Sequence, residues 1–220
     1  MTLPSPLEHY LKPHLETRPS VAPTTVTLDR VTFGKRLRLA RKQFGWTLQK
    51  VSDLSGVSIP TISRAERGQL ALGYDNISAL AQALNIDMGT LFAEDGKQQG
   101  PLAEPVLTRA SEGVSYKGLN VSYEFLGATA LGKTMRPVLA TIHARSIDGP
   151  DDFARHDGEE FVYALRGEVD VHFENGRCIQ LARGDSLYFD SRIGHTYVST
   201  GRHLARLIVV MTENYPAIER

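Results

Sequence analysis

The chain reads as an α+β protein of two domains, a unit of five short helices followed by an all-β unit. Three observations predict this. Apolar residues between about 30 and 95 recur at helical spacing, interrupted by glycines. From about residue 119 they fall instead in short runs rich in β-branched and aromatic residues. Between them lies a stretch holding Gly96, Gly100, Gly113, Gly118, Pro101 and Pro105, which reads as a linker over 96–118.

Residues 1–28 carry five of the eleven prolines and no sustained period, and are expected to form a flexible tail. In the helical unit, 29–95, Phe33, Leu37, Ala40 and Phe44 mark one face of a first helix that Gly45 stops. Thr47 can cap a second helix with Leu48, Val51 and Leu54 inward. Gly56 breaks it, and Ser58 caps a third that runs to about Arg67 and ends at Gly68. Asp75 or Asn76 is expected to open a fourth, with Ile77, Leu80, Ala81 and Leu84 inward, and Asp87 a last short helix near Leu91 and Phe92. The β unit, 119–220, offers the runs VSYEF, PVLATIHAR, EFVYAL, EVDVHF, RCIQL, DSLYFD, HTYVST and HLARLIVVM. Asn175-Gly176 between two of them is a hairpin signal, and the short even spacing indicates a sandwich or barrel.

Composition narrows the function classes. At 41% hydrophobic and 23% charged, the 220 residues can bury a core, and no apolar run approaches the length a bilayer span needs. One cysteine, Cys178, rules out an internal disulfide; the first residues show no basic start followed by an apolar stretch, so no secretory signal is expected, which fits a reducing cytoplasm. Net charge is zero, but residues 29–68 hold nine basic residues against three acidic, while 69–220 hold 14 against 20. A short cationic segment in an otherwise anionic chain suits a polyanion partner.

The stretch TLQKVSDLSGVSIPTISRAERG, residues 47–68, has the layout of a helix-turn-helix. With W-T-L at 46–48, T-I-S-R-x-E-R-G at 61–68 and N-I-D-x-G-T-L-F at 85–92, it resembles the Xre family of bacterial regulators over roughly 33–93. Base reading would then fall to Ile59, Pro60, Thr61 and Arg64, the arginine fork taking two acceptors on a guanine. Thr47 and Ser58 at helix starts, with Arg38, Lys42 and Arg67, would hold phosphates. The resemblance also implies a structural pair between Arg41 and Glu66.

In the β unit, ARHDGEEFVYALRG (154–167) and GDSLYFDSRIGHTY (184–197) resemble the two motifs of the cupin superfamily, small double-stranded β-helix (jelly-roll) barrels. The resemblance puts ligands at His156, Glu160 and His195. It puts Ala154 where a fourth would stand, and Asp190 and Arg192 where a proline and glycine are usual. Two imidazoles and a carboxylate could hold one divalent metal ion, Fe, Zn, Mn or Ni. Tyr123, His143 and Arg155 are weaker candidates for an effector pocket.

A helix-turn-helix followed by a cupin resembles bacterial transcription regulators in which the barrel senses a small molecule. The expected partners are therefore a double-stranded DNA operator, a small effector and a second copy in a homodimer, with no membrane. The alternative is a non-haem iron oxygenase of the hydroxypropylphosphonate epoxidase type using the same triad. In that enzyme the helical segment lends the active site a lysine; the matching position here is Phe44, with Lys42 two residues away.

Overall fold

The computed structural model describes residues 26–92, 99–101 and 105–212. Helix α1 (Arg30–Gln43) starts where the Asp29 carboxylate accepts from the Val31 and Thr32 amides at 2.8 and 3.0 Å, and it buries Phe33, Leu37 and Ala40. α2 (Leu48–Ser55) and α3 (Ile59–Glu66) follow, capped by the Thr47 and Ser58 hydroxyls. Gly56, at φ +72°, makes the turn between them, a left-handed conformation that L side chains resist. Gly34 lets α1 and α3 touch: a Cβ there would stand 2.2 Å from the Ala65 carbonyl oxygen. α4 (Tyr74–Ala83) and α5 (Met88–Phe92) complete the five helices.

Three expectations shift within this unit. α1 ends at Gln43, so Phe44 falls off its inward face, is 47% exposed, and packs on Trp46 at a ring separation of 5.1 Å. Leu54 is likewise 48% exposed. α4 begins at Tyr74 with Gly73 at its N-cap and no side-chain cap, so Asp75 lies inside the first turn, not at the helix boundary.

The β unit contains all eight strand runs named from the sequence. Strands β1 (Val26–Leu28), β3 (Val114–Lys117), β4 (Val121–Phe125), β6 (Met135–Ile142), β7 (Glu159–Arg166), β10 (Ser186–Asp190) and β12 (Arg206–Thr212) form one sheet in the order β1-β3-β4-β6-β12-β7-β10. A second sheet has β8 (Val169–Phe173) between β11 (His195–Ser199) and β9 (Cys178–Leu181). A short parallel pair joins β2 (Gln99–Pro101) to β5 (Ala130–Leu131). Alternation sets the faces: Val138, Ala140 and Ile142 of β6 and Leu207, Val209 and Met211 of β12 point into the core. At Asn175-Gly176 the β8–β9 hairpin closes, with Gly176 at φ +84° and Phe173 N donating to Arg177 O at 2.8 Å.

β1 and β3 lie in stretches expected to be tail and linker, and they pair in parallel, Leu28 opposite Tyr116. Their anchor is burial that no local periodicity signals. Leu28 is buried, and the Tyr116 ring lies between Phe33 at 5.2 Å and Phe92 at 5.8 Å. Its hydroxyl accepts from the Leu72 amide at 2.8 Å. Phe92 stacks on Phe125 of β4 at 4.0 Å. The helices and the sheet therefore share one apolar seam.

Candidate functional site

His156 precedes β7, Glu160 is the second residue of β7, and His195 opens β11. Three local features bring them together. Gly158 turns the chain between His156 and Glu160 at φ +97°, where a Cβ would meet the Thr212 carbonyl oxygen at 2.0 Å. Ala154 and His195 exchange both backbone hydrogen bonds, at 2.9 and 3.0 Å, tying the two motif segments. Glu174 accepts from the Gly194 amide at 3.1 Å and pairs with Arg155, holding the approach to His195.

The triad geometry is directional. His195 Nδ1 faces the Ile193 carbonyl at 2.9 Å, and His156 Nδ1 faces that of Asp157 at 3.3 Å. Carbonyls accept only, so both Nδ1 atoms carry protons and both Nε2 atoms turn inward. They converge on Glu160 Oε2 at 3.0 and 3.4 Å, while Tyr197 donates to Oε1. In neutral rings these nitrogens present lone pairs to a carboxylate, a contact that is repulsive unless a cation or a proton lies between them. The donor set and its carbonyl-fixed tautomers thus fit a divalent metal held by His156, Glu160 and His195. Burial alone would raise the Glu160 pKa, but when the rings are protonated at Nε2 the hydrogen bonds from His156 and His195 outweigh it and hold the carboxyl well below its ordinary range. Burial lowers that of His195, yet the hydrogen bond and charge of Glu160 leave it raised.

The triad lies in the wall of a cavity of about 280 Å³. The barrel contributes Tyr123, Tyr197, Ala154, Val209 and Met211. The helical unit contributes Thr61 of α3, the Leu70–Gly73 turn, and Tyr74, Asp75 and Asn76 of α4. The Tyr74 ring packs edge-on against His156 at 5.3 Å. Tyr123 takes a hydrogen bond from the Tyr74 backbone, and burial pushes its phenol far above the usual range. Among the described residues that line the cavity are four carboxylates (Asp75, Asp151, Asp152, Glu160) and no lysine or arginine.

Of the weaker pocket candidates, Tyr123 lines this cavity and the other two lie outside it. His143 is bound to the Ser122 hydroxyl at 2.7 Å, and Arg155 is engaged with Glu174. Tyr197 and Asp75 had not been singled out as site residues. Tyr197 was within reach of strand alternation, two residues beyond His195 on the same face. Asp75 reaches the site only because the helical unit docks on the barrel.

In the helical unit, Pro60, Arg64 and Arg67 of the α3 region are exposed, as are Arg38 and Lys42 of α1 and the caps Thr47 and Ser58. Ile59 is half-buried. Thr61 differs: its hydroxyl is 2.8 Å from that of Ser58 and its side chain belongs to the cavity wall. α3 is locked to α1 by a buried bidentate pair, Arg41 Nε and Nη2 donating to Glu66 at 2.6 and 2.7 Å.

Comparison with known proteins agrees with both halves. Residues 37–91 match the helix-turn-helix family and residues 139–211 the cupin domain family. The chain is 25% identical over 183 residues to the HTH-type transcriptional regulator PuuR of Escherichia coli, covering 81% of this chain and 94% of that protein. It is 24% identical over 193 residues to (S)-2-hydroxypropylphosphonic acid epoxidase of Streptomyces wedmorensis, with the same coverage. In fold it is similar to an HTH_3 family transcriptional regulator from Vibrio cholerae, at a TM-score of 0.58 and 19% identity over 85% of this chain and 97% of that one.

Proposed function

We propose, on the premise that the chain belongs to the helix-turn-helix proteins with a C-terminal cupin domain, that it is a sequence-specific DNA-binding transcriptional regulator whose cupin cavity senses a small effector. The observation that carries the reading is the exposure of Ser58, Pro60 and Arg64 at the start and along α3, on a scaffold fixed by Arg41–Glu66. That helix end in the major groove would put Arg64 on base edges and Ser58, Thr47, Arg38, Lys42 and Arg67 near phosphates. The excess of six positive charges over residues 29–68 supplies the electrostatic attraction.

A second copy completes the DNA-binding unit. The outer face of the large sheet carries Pro137, Val210, Phe161 and Tyr188 in one cross-strand row, and Leu139, Ile208 and Tyr163 in the next. Phe161 and Tyr163 are each 37% exposed and Tyr188 62%, an apolar patch suited to an isologous dimer contact. Two α3 helices would then meet half-sites ~34 Å apart, one DNA turn.

The epoxidase-type reading draws support from one observation, the His156–Glu160–His195 triad. A divalent metal bound there would leave coordination positions open for a ligand. Against it, neither Lys42, which is exposed, nor Phe44 lines the cavity, and four carboxylates without a lining cation disfavour a phosphonate. The test is selection of bound duplexes from a random library with the purified protein. Enrichment of one two-fold-symmetric site is expected; recovery of unselected sequence after repeated rounds would overturn the regulator reading.

A further inference from the structure

The small sheet carries a group of donor side chains that the cavity does not use. Along β8 the residues alternate: Val169, Val171 and Phe173 are buried in the core, which turns Asp170 and His172 to the outer face. The β8–β9 register sets Cys178 directly opposite His172 and Gln180 opposite Asp170, so all four side chains share that face. The tight Asn175-Gly176 turn fixes this register, with Phe173 N donating to Arg177 O. One donor atom each from Asp170, His172 and Cys178 lies within 4.8 Å of the other two. Cys178 Sγ stands 3.8 Å from His172 Nε2. A zinc-type ion, with bonds of ~2.3 Å to sulfur and ~2.05 Å to nitrogen at a tetrahedral angle, sets those two atoms about 3.6 Å apart. The hairpin therefore holds the pair near ligand spacing. Gln180 Nε2 donates to Asp170 Oδ1 at 3.2 Å and orients the carboxylate from outside the donor set. Core packing does not account for the group: Cys178 is exposed, Asp170 and His172 are half-buried, and none of the three belongs to the apolar core.

We propose that Asp170, His172 and Cys178 form a second metal site, on the outer face of the β8–β9 hairpin, that takes one thiophilic divalent transition ion of the zinc class. A thiolate and an imidazole select such an ion over Mg²⁺ or Ca²⁺, which take oxygen ligands. The carboxylate completes three protein ligands. β9 is the outer strand of its sheet, so the fourth position is left to water. The site is separate from the triad. None of its three residues lines the cavity, and its donors include the chain's single thiol, whereas His156, Glu160 and His195 offer no sulfur. It does not rest on the regulator reading. An ion there ties β9 to β8 through side chains as well as backbone. Held by three ligands at the surface, it exchanges with solvent, so titration reads the site and the metal content of purified protein does not.

The experiment is a Co²⁺ titration of metal-stripped, reduced, full-length protein, followed by absorption. Binding at this site should raise a near-ultraviolet sulfur-to-cobalt charge-transfer band, which the sulfur-free triad cannot give. Its apparent affinity should not depend on protein concentration, and added Zn²⁺ should abolish the band while Mg²⁺ leaves it in place. Cys178→Ser should remove the band altogether. His172→Gln and Asp170→Asn, each checked for native circular dichroism, should keep a thiol yet weaken the binding that the band reports by about tenfold or more. Because all three side chains lie outside the core, these variants should fold as wild type does. Absence of the band in wild type overturns the proposal. So does a band whose affinity is unchanged by His172→Gln or by Asp170→Asn, since the thiol would then bind without its neighbours. An affinity that climbs with protein concentration also overturns it, since thiols of two chains would then share one ion.

Discussion

Truncating Glu66 to alanine should destabilise the whole molecule by several kcal/mol, about 3–5. The pair it makes with Arg41 is buried, with side-chain exposures of 6% and 7%, and uses two parallel hydrogen bonds at 2.6 and 2.7 Å. Glu66→Ala leaves the guanidinium buried with its bond to the Trp46 carbonyl at 2.7 Å as compensation. Removing one partner of such a pair costs ~3–5 kcal/mol, because the remaining charge stays desolvated. The aromatic seam through Tyr116 and Phe92 joins helices and sheet, so the described residues should melt as one unit. At ~2–4 °C per kcal/mol for a unit of this size, the midpoint falls by roughly 6–20 °C. Thermal unfolding followed by circular dichroism reads this directly, and Arg41→Met/Glu66→Met should recover most of the loss, since a packed apolar pair avoids the stranded charge. A Glu66→Ala midpoint within about 2 °C of wild type, or a double variant as unstable as the single one, would refute the reasoning.

Further outcomes follow from the same geometry. Phe161→Lys/Tyr163→Lys places charge on the exposed rows of the large sheet and should give monomers by sedimentation at micromolar concentration, while leaving the melting of the isolated chain nearly unchanged. Metal analysis of protein expressed in cytoplasm should find about one equivalent of a divalent ion, most of it lost in His156→Ala, if the three convergent donors act as ligands. Asp75→Asn should raise the midpoint of cation-free protein at pH 7. An acid whose folded pKa lies above its unfolded value loses stability once ionised, so the gain should fade as pH falls through the raised folded pKa and be gone below the ordinary carboxylate range. That titration runs in the presence of His156 and His195, whose charge opposes the burial effect.

Local signals carried much of the structure. Helix starts at Thr47 and Ser58 and turns at Gly45, Gly56 and Gly176 are written in single residues, because a cap hydroxyl or a positive φ needs only its own neighbours. The eight strands from β-branched runs follow for the same reason. Motif resemblance supplied the triad, which strand alternation alone could not select. What sequence did not disclose depends on contacts across the seam. Strand β3 is built from VSYK in a glycine-rich stretch, and only the pocket formed by Phe33, Phe92 and Leu72 explains why Tyr116 is buried. Asp75 looked like a helix cap because its spacing fits one; the cavity side of α4 becomes visible only once the barrel is in place. Thr61 sits in a reading-helix motif yet lies in the cavity wall, for the same reason.

The most direct measurement is the affinity of wild type and Arg64→Ala for the selected operator and for its single-base variants, at fixed salt. Loss of a bidentate contact to a guanine predicts a penalty of ~1–3 kcal/mol, about 5–150-fold, for the variant on the intact site. It also predicts indifference of the variant to substitution at one symmetric base pair to which wild type is sensitive. Equal affinity and an unchanged base preference in Arg64→Ala would contradict the account of α3 as the reading helix.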